Sequence, residues 1–104
     1  MSKASESPPG AALLRSLLST GTKADLMVLF HRNPGLIDTV DGIATRIGRK
    51  GDSIRTDVLE LEKDSFLMKK KVGKAEVYYL NRERDMKAQE EMASYIFSMG
   101  KKAP

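Results

Sequence analysis

Between Thr39 and Leu80 the apolar spacing is helical twice over and then gives way to two β-prone runs, an order that few folds accommodate. Val40, Ile43, Ala44 and Ile47 recur at the interval of one helix face. Thr39 stands where an N-cap belongs, and Gly48 where a left-handed residue closes a helix. Arg49, Lys50 and Gly51 complete a short turn, after which Asp52 is the expected cap of a second helix. That helix buries Ile54, Val58 and Leu61 and ends near Asp64–Ser65. Phe66 to Lys71 and Glu76 to Leu80 then read as strands, joined by a Val72-Gly73-Lys74-Ala75 loop.

The flanks complete one domain. Met1 to Gly10, with its serines, glutamate and paired prolines, reads as a disordered tail, residues 11–99 as a single domain, and 100–104 as a frayed end. Leu13, Leu14, Leu17 and Leu18 recur at helical spacing up to Ser19–Gly21. Thr22 is the expected cap of an apolar helix from Lys23 to Arg32, central to the core and stopped by Asn33-Pro34-Gly35. Leu36-Ile37-Asp38 is a candidate brief strand. After Asn81 a last helix runs from about Glu83 to Met99, with Ala88, Met92, Tyr95, Ile96 and Met99 on its apolar stripe. Met27 and Met68 are expected to fill core. The fold class is mainly α with a small β-hairpin.

Charge is unevenly placed. The chain carries +4, and the stretch from Arg46 to Lys74 holds nine basic and five acidic residues, while the remainder has nine of each. All the excess positive charge therefore lies with the second helix and the hairpin, which the topology sets side by side. Such a face fits a polyanion, and a nucleic-acid duplex above others.

With these pieces in place, Thr39 to Leu80 resembles the winged helix-turn-helix of prokaryotic transcription regulators of the ArsR and MarR sort. The likeness rests on the Thr-Val-x-x-Ile-Ala-x-x-Ile-Gly run of Thr39 to Gly48 and the Ile54/Val58/Leu61 ladder. Ser65-Phe66-Leu67, Gly73-Lys74 and Tyr78-Tyr79-Leu80 complete it. The resemblance implies a winged helix-turn-helix with extra N- and C-terminal helices. It also implies a recognition helix of about residues 53–64 in the major groove and a wing of about 67–80 on backbone or minor groove. Ser53, Arg55 and Thr56 would face bases, with Arg49 and Lys50 on the backbone and Lys69, Lys71 and Lys74 on phosphates or the minor groove. Two departures stand out. Ser65 replaces the usual left-handed glycine, and Asp52, Asp57, Glu60, Glu62 and Asp64 make the recognition helix acidic. Asp57, Glu62 and Asp64 are expected beside the buried ladder, away from a duplex, while Leu59 and Glu60 face outward.

The last helix has a wider apolar stripe than one small domain needs. A homodimer is expected, with Leu13, Leu14, Leu17, Met92, Tyr95, Ile96 and Met99 at its interface, and two copies would engage a palindromic site. His31, the lone histidine, is expected at the edge of the core, titrating without consequence. With no cysteine beside it, neither a metal nor any cofactor is expected. Asp38 and Asp41 read as cap and first-turn residues. No Gly-rich phosphate loop, His-Glu-x-x-His or Gly-x-Ser-x-Gly occurs, so the chain is not read as an enzyme. No apolar run is long enough for a membrane helix, no secretory signal is recognisable, and a cytoplasmic place is expected. The expected function is a transcriptional regulator binding double-stranded DNA. The alternative is a protein–protein interaction module that contacts a partner through Leu59 and its acidic neighbours.

Overall fold

The structure, a computed structural model, describes Ala12 and residues 15–101, with side chains as far as Ser98. The expectations for the 1–10 tail, for Leu13 and Leu14, for the Met99 side chain and for residues 102–104 lie outside the described residues. A helical stretch at residues 15–17 leads to α1 (Gly21–Arg32), β1 (Ile37–Asp38), α2 (Val40–Arg46) and α3 (Gly51–Lys63). A hairpin of β2 (Leu67–Val72) and β3 (Ala75–Leu80) follows, and α4 (Arg82–Lys101) closes the chain. Gly100 and Lys101 are thus helical backbone rather than part of a frayed end.

Each helix begins where the backbone offers a hydroxyl or an extended residue. Thr20, not Thr22, caps α1: it is extended, and its Oγ1 accepts the Lys23 N–H at 2.9 Å, while Thr22 is buried in the first turn. Thr39 caps α2 as expected, accepting the Gly42 N–H at 3.1 Å. Asp52 is not the cap of α3, because that helix starts one residue before it and extended Lys50 takes the capping position without a side-chain bond. Gly51 permits this early start, since a methyl there would strike the Asp41 carboxylate. Asp52 instead places its charge in the first turn, where it favours the helix dipole.

The two central helices end alike. Gly48 sits at φ +69°, with the Arg49 N–H donating to Ala44 O at 2.9 Å and the Gly48 N–H to Thr45 O at 3.2 Å. Ser65 sits at the same φ, with the Phe66 N–H donating to Leu61 O at 2.9 Å and the Ser65 N–H to Glu62 O at 3.0 Å. Both are Schellman closures, which satisfy the last carbonyls by a left-handed residue. Only the second asks that conformation of a residue with a Cβ.

The sheet has the order β1-β3-β2, antiparallel throughout, with Ile37 opposite Tyr79 and Leu67 opposite Leu80. Val72 pairs directly with Ala75, so the hairpin turn is Gly73-Lys74 alone, tighter than the expected four-residue loop. Gly73 at φ +63° makes this tightness tolerable. The register also corrects Met68. One residue along from buried Leu67, it faces the opposite side beside Tyr79 and is 40% exposed rather than in the core.

The core joins Leu26 and Phe30 of α1, Ile43 of α2, the Ile54/Val58/Leu61 ladder and Leu67 of β2. Helix α4 docks through buried Ala88 and half-buried Met92. The Arg84 guanidinium lies 4.4 Å from the ring centroid of Phe66, and Asn81 Oδ1 accepts the Arg84 N–H. His31 is not a bystander. Its Nε2 stands 2.8 Å from Oδ1 of Asp85, a carboxylate only 5% exposed, and its Nδ1 lies 2.6 Å from Met27 O. Gln89 Nε2 donates to the other Asp85 oxygen at 2.7 Å, so this network ties α4 to α1.

Replacing Ser65 by glycine is expected to stabilise the protein by about 0.5–1 kcal/mol. Relief of the left-handed strain of about 1–2 kcal/mol exceeds the added chain entropy of glycine. Urea unfolding of the two proteins measures the difference, and an unchanged or lowered midpoint would contradict strain at this turn.

Candidate nucleic-acid interface

Helix α3 has four sides, set by its 3.6-residue turn and by what packs on it. Ile54, Val58 and Leu61 face inward. One flank carries Asp57 and Glu60, and both are engaged by the α1 region: Thr20 Oγ1 donates to Asp57 at 3.2 Å, and Lys23 Nζ meets Glu60 at 2.7 Å. The Lys23 side chain is only 7% exposed, so Glu60 neutralises an ammonium that has lost most of its water. Glu60 therefore does not stand free on the outer face as the sequence reading had it. The outermost positions are Asp52, Thr56 and Lys63, all exposed. Lys63 escaped the sequence reading, although it lies seven residues after Thr56 and so on the same face. Arg55 and Leu59, 42% exposed, lie toward the remaining flank.

The hairpin brings lysines to that flank. Directly opposed residues share a sheet face and neighbours along a strand alternate, so Lys69 and Lys71 lie on the side of Leu67, Tyr78 and Leu80. Lys70 faces the other way, its ammonium 5.4 Å from the ring centroid of Tyr79. A groove of about 370 Å³ runs between α2, α3 and the hairpin. Arg55, Lys71 and Lys74 line it together with Thr39, Val40, Asp41, Ala75, Glu76 and Tyr78.

The candidate cations divide into two groups. Arg49 is held by Asp25, with Nη2 at 2.8 Å and Nε at 3.0 Å from one oxygen, and Arg46 is paired with Asp38 at 3.2 Å. Among the described residues, Lys50, Arg55, Lys69, Lys71 and Lys74 form no ion pair. Ser53 turns its hydroxyl back to Lys50 O at 2.8 Å, whereas the exposed Thr56 hydroxyl makes no such bond. Unpaired, solvated cations are what a polyanion recruits, because their binding releases its counterions. Among the described residues no group of three His, Asp or Glu side chains is placed to hold a metal ion, and no helix is long and apolar enough to cross a membrane.

The expected dimer residues are scattered. Leu17 is 3% exposed inside the chain's own core, which leaves it no surface for a second copy. Met92 is half-buried against the same core and Tyr95 is half-buried, while Ile96 is 58% exposed.

Two helices joined by a tight turn, with a β-hairpin beside the second, define a winged helix-turn-helix. Solved structures share it. The chain superposes on the antimony-specific transcriptional repressor AntR with a TM-score of 0.60 at 18% identity, over 88% of this chain and 81% of that one. It superposes on an ArsR family transcriptional regulator with a TM-score of 0.64 at 15% identity, over 95% and 98%. A "possible transcriptional regulator" from Methanosarcina mazei Go1 gives 0.57 at 15%, over 88% and 82%. No protein-family model matches the sequence, and no curated protein matches it. The fold is therefore a winged helix-turn-helix like that of these structures, a likeness that at 15–18% identity lies in the backbone.

Replacing Glu60 by alanine is expected to cost about 1–2 kcal/mol, less than a fully buried pair would because Glu60 is half-exposed. Adding Lys23→Met should recover part of that loss. Denaturant unfolding of both single variants and the double variant measures the coupling; additive losses would show that the pair is not coupled.

Proposed function

We propose that this chain is a transcriptional regulator that binds duplex DNA as a homodimer. Helix α3 enters the major groove and the β2–β3 hairpin lies against the backbone or minor groove. The observation that carries this reading is the sorting of charge. Asp57 and Glu60 on the α1-facing flank are engaged within the fold, while Lys50, Arg55, Lys69, Lys71 and Lys74 form no ion pair among the described residues, and Arg55, Lys71 and Lys74 share the groove where helix and hairpin meet. The similar structures, described as transcriptional regulators and a repressor, support the same reading. Ser53 and Thr56 meet the major groove, Arg55 lies where the helix meets the hairpin, and Lys50 meets the backbone at the start of the helix. Arg49, with Nε and Nη2 on Asp25, has Nη1 left for a phosphate. Dimerisation uses the outer half of α4, through Tyr95, Ile96 and Met99 with Leu13 and Leu14, and gives two weak half-site contacts the combined strength of one site. A cytoplasmic place follows from action on DNA.

Fluorescence anisotropy of a labelled mixed-sequence duplex, titrated at two salt concentrations, tests the proposal. The Lys69/Lys71/Lys74→Ala variant runs beside the native protein. Micromolar or tighter binding that weakens steeply with salt and is lost in the variant is expected. Absence of binding at low salt by folded protein would turn the assignment toward a docking module that uses exposed Leu59.

A further inference from the structure

The groove between α3 and the hairpin carries an inference about how the duplex is held, and it rests on the DNA-binding reading above. Arg55 projects from the flank of α3 toward the hairpin rather than from its outermost side, where Thr56 and Lys63 stand. It shares the groove with Lys71 and Lys74, and none of the three is paired, although Asp41 and Glu76 also line the walls. Three cations from two elements converging on one groove match a charge that is itself shared between oxygens, as on a phosphodiester. A guanine edge offers two neutral acceptors, which one arginine or one lysine already satisfies, and it does not call for three cations at once. The two carboxylates offset part of that charge, and the three cations still exceed them by one.

We infer that Arg55, Lys71 and Lys74 form a single phosphate clamp, so that Arg55 grips the DNA backbone where helix meets wing and does not read a base. Sequence discrimination then falls to the outer face of α3, to Thr56 and Lys63. Lys70, turned to the far side of the hairpin over Tyr79, lies outside the clamp.

The experiment starts with a duplex selected for tightest binding and its single-base-pair variants. Each is titrated by anisotropy with the native protein and with Arg55→Ala, Arg55→Lys and Lys70→Ala, after circular dichroism has shown that each variant is folded. Arg55→Ala should weaken every duplex about ten-fold, keep their rank order and lower the salt slope by about one. Arg55→Lys should stay within about three-fold of the native protein, since a phosphate accepts a point charge where a bidentate base contact does not. Lys70→Ala should bind as the native protein does. A duplex series with one neutral methylphosphonate linkage moved along each strand should contain a position at which Arg55→Ala causes no further loss.

If Arg55→Lys fails as badly as Arg55→Ala and both erase preference at one base pair, the clamp is wrong and Arg55 is a base reader. If no neutral linkage is redundant with Arg55→Ala, the clamp is likewise wrong, while DNA binding stands. A native protein that binds no duplex at low salt would instead overturn the DNA reading itself, and the clamp with it.

Discussion

The candidate interface depends on how α3 is held. Its inner ladder of Ile54, Val58 and Leu61 is wholly buried and turns one face of the helix inward, since any roll would expose it. The Lys23–Glu60 pair, with Thr20 on Asp57, ties the α1-facing flank as well. Because the Lys23 side chain is only 7% exposed, a shift that separated the charges would leave an ammonium largely out of water without its counterion. With the helix held on both sides, Arg55 lies on the flank toward the hairpin, where it shares a groove with Lys71 and Lys74.

This arrangement also bears on how an acidic helix is compatible with the DNA-binding role proposed above. Repulsion from phosphate depends on distance and exposure, not on a count of carboxylates. Asp57 and Glu60 are engaged on the far flank by a hydroxyl and an ammonium, and Asp52 lies in the first turn, where the helix dipole stabilises it. Arg49 and Arg46 show the converse. They lie in the basic stretch of sequence, yet Asp25 and Asp38 already hold them. Net charge along the chain marks out the basic stretch, and pairing in space separates the cations held within the fold from those left unpaired.

Local chemistry made most of the fold legible from the residues. The left-handed closure at Gly48, the cap at Thr39, the buried ladder and the hairpin centred on Gly73 each follow from spacing within a few residues. The left-handed turn at Ser65, φ +69°, is implied by the resemblance, which has glycine there, and not by local spacing. The failures have a common cause. Thr22 and Asp52 are good capping residues, but the choice between neighbours depends on which backbone is extended, and for α3 on an Asp41 carboxylate from another helix. Glu60 and His31 are exposed as expected, but their partners, Lys23 and Asp85, are distant in sequence, and periodicity within one element is silent about them. Met68 went wrong by a single residue of register, which in a strand exchanges the two faces.

The His31–Asp85–Gln89 network gives the fold a second fixed angle, between α1 and α4. Asp85 is buried and accepts from both His31 and Gln89, which are themselves exposed, so its removal would untie α4 from α1 while water takes over their donors. Beyond Met92 the described side chains of α4 are half-buried or exposed, and the helix departs from the body of its own domain. Its direction there is inherited from the docked first half, as in any stiff rod held at one end. If two copies meet through the outer half, the spacing between their α3 helices is set by this angle. In such a dimer the residues that hold α4 to α1 would set the spacing of the two α3 helices without touching the partner copy.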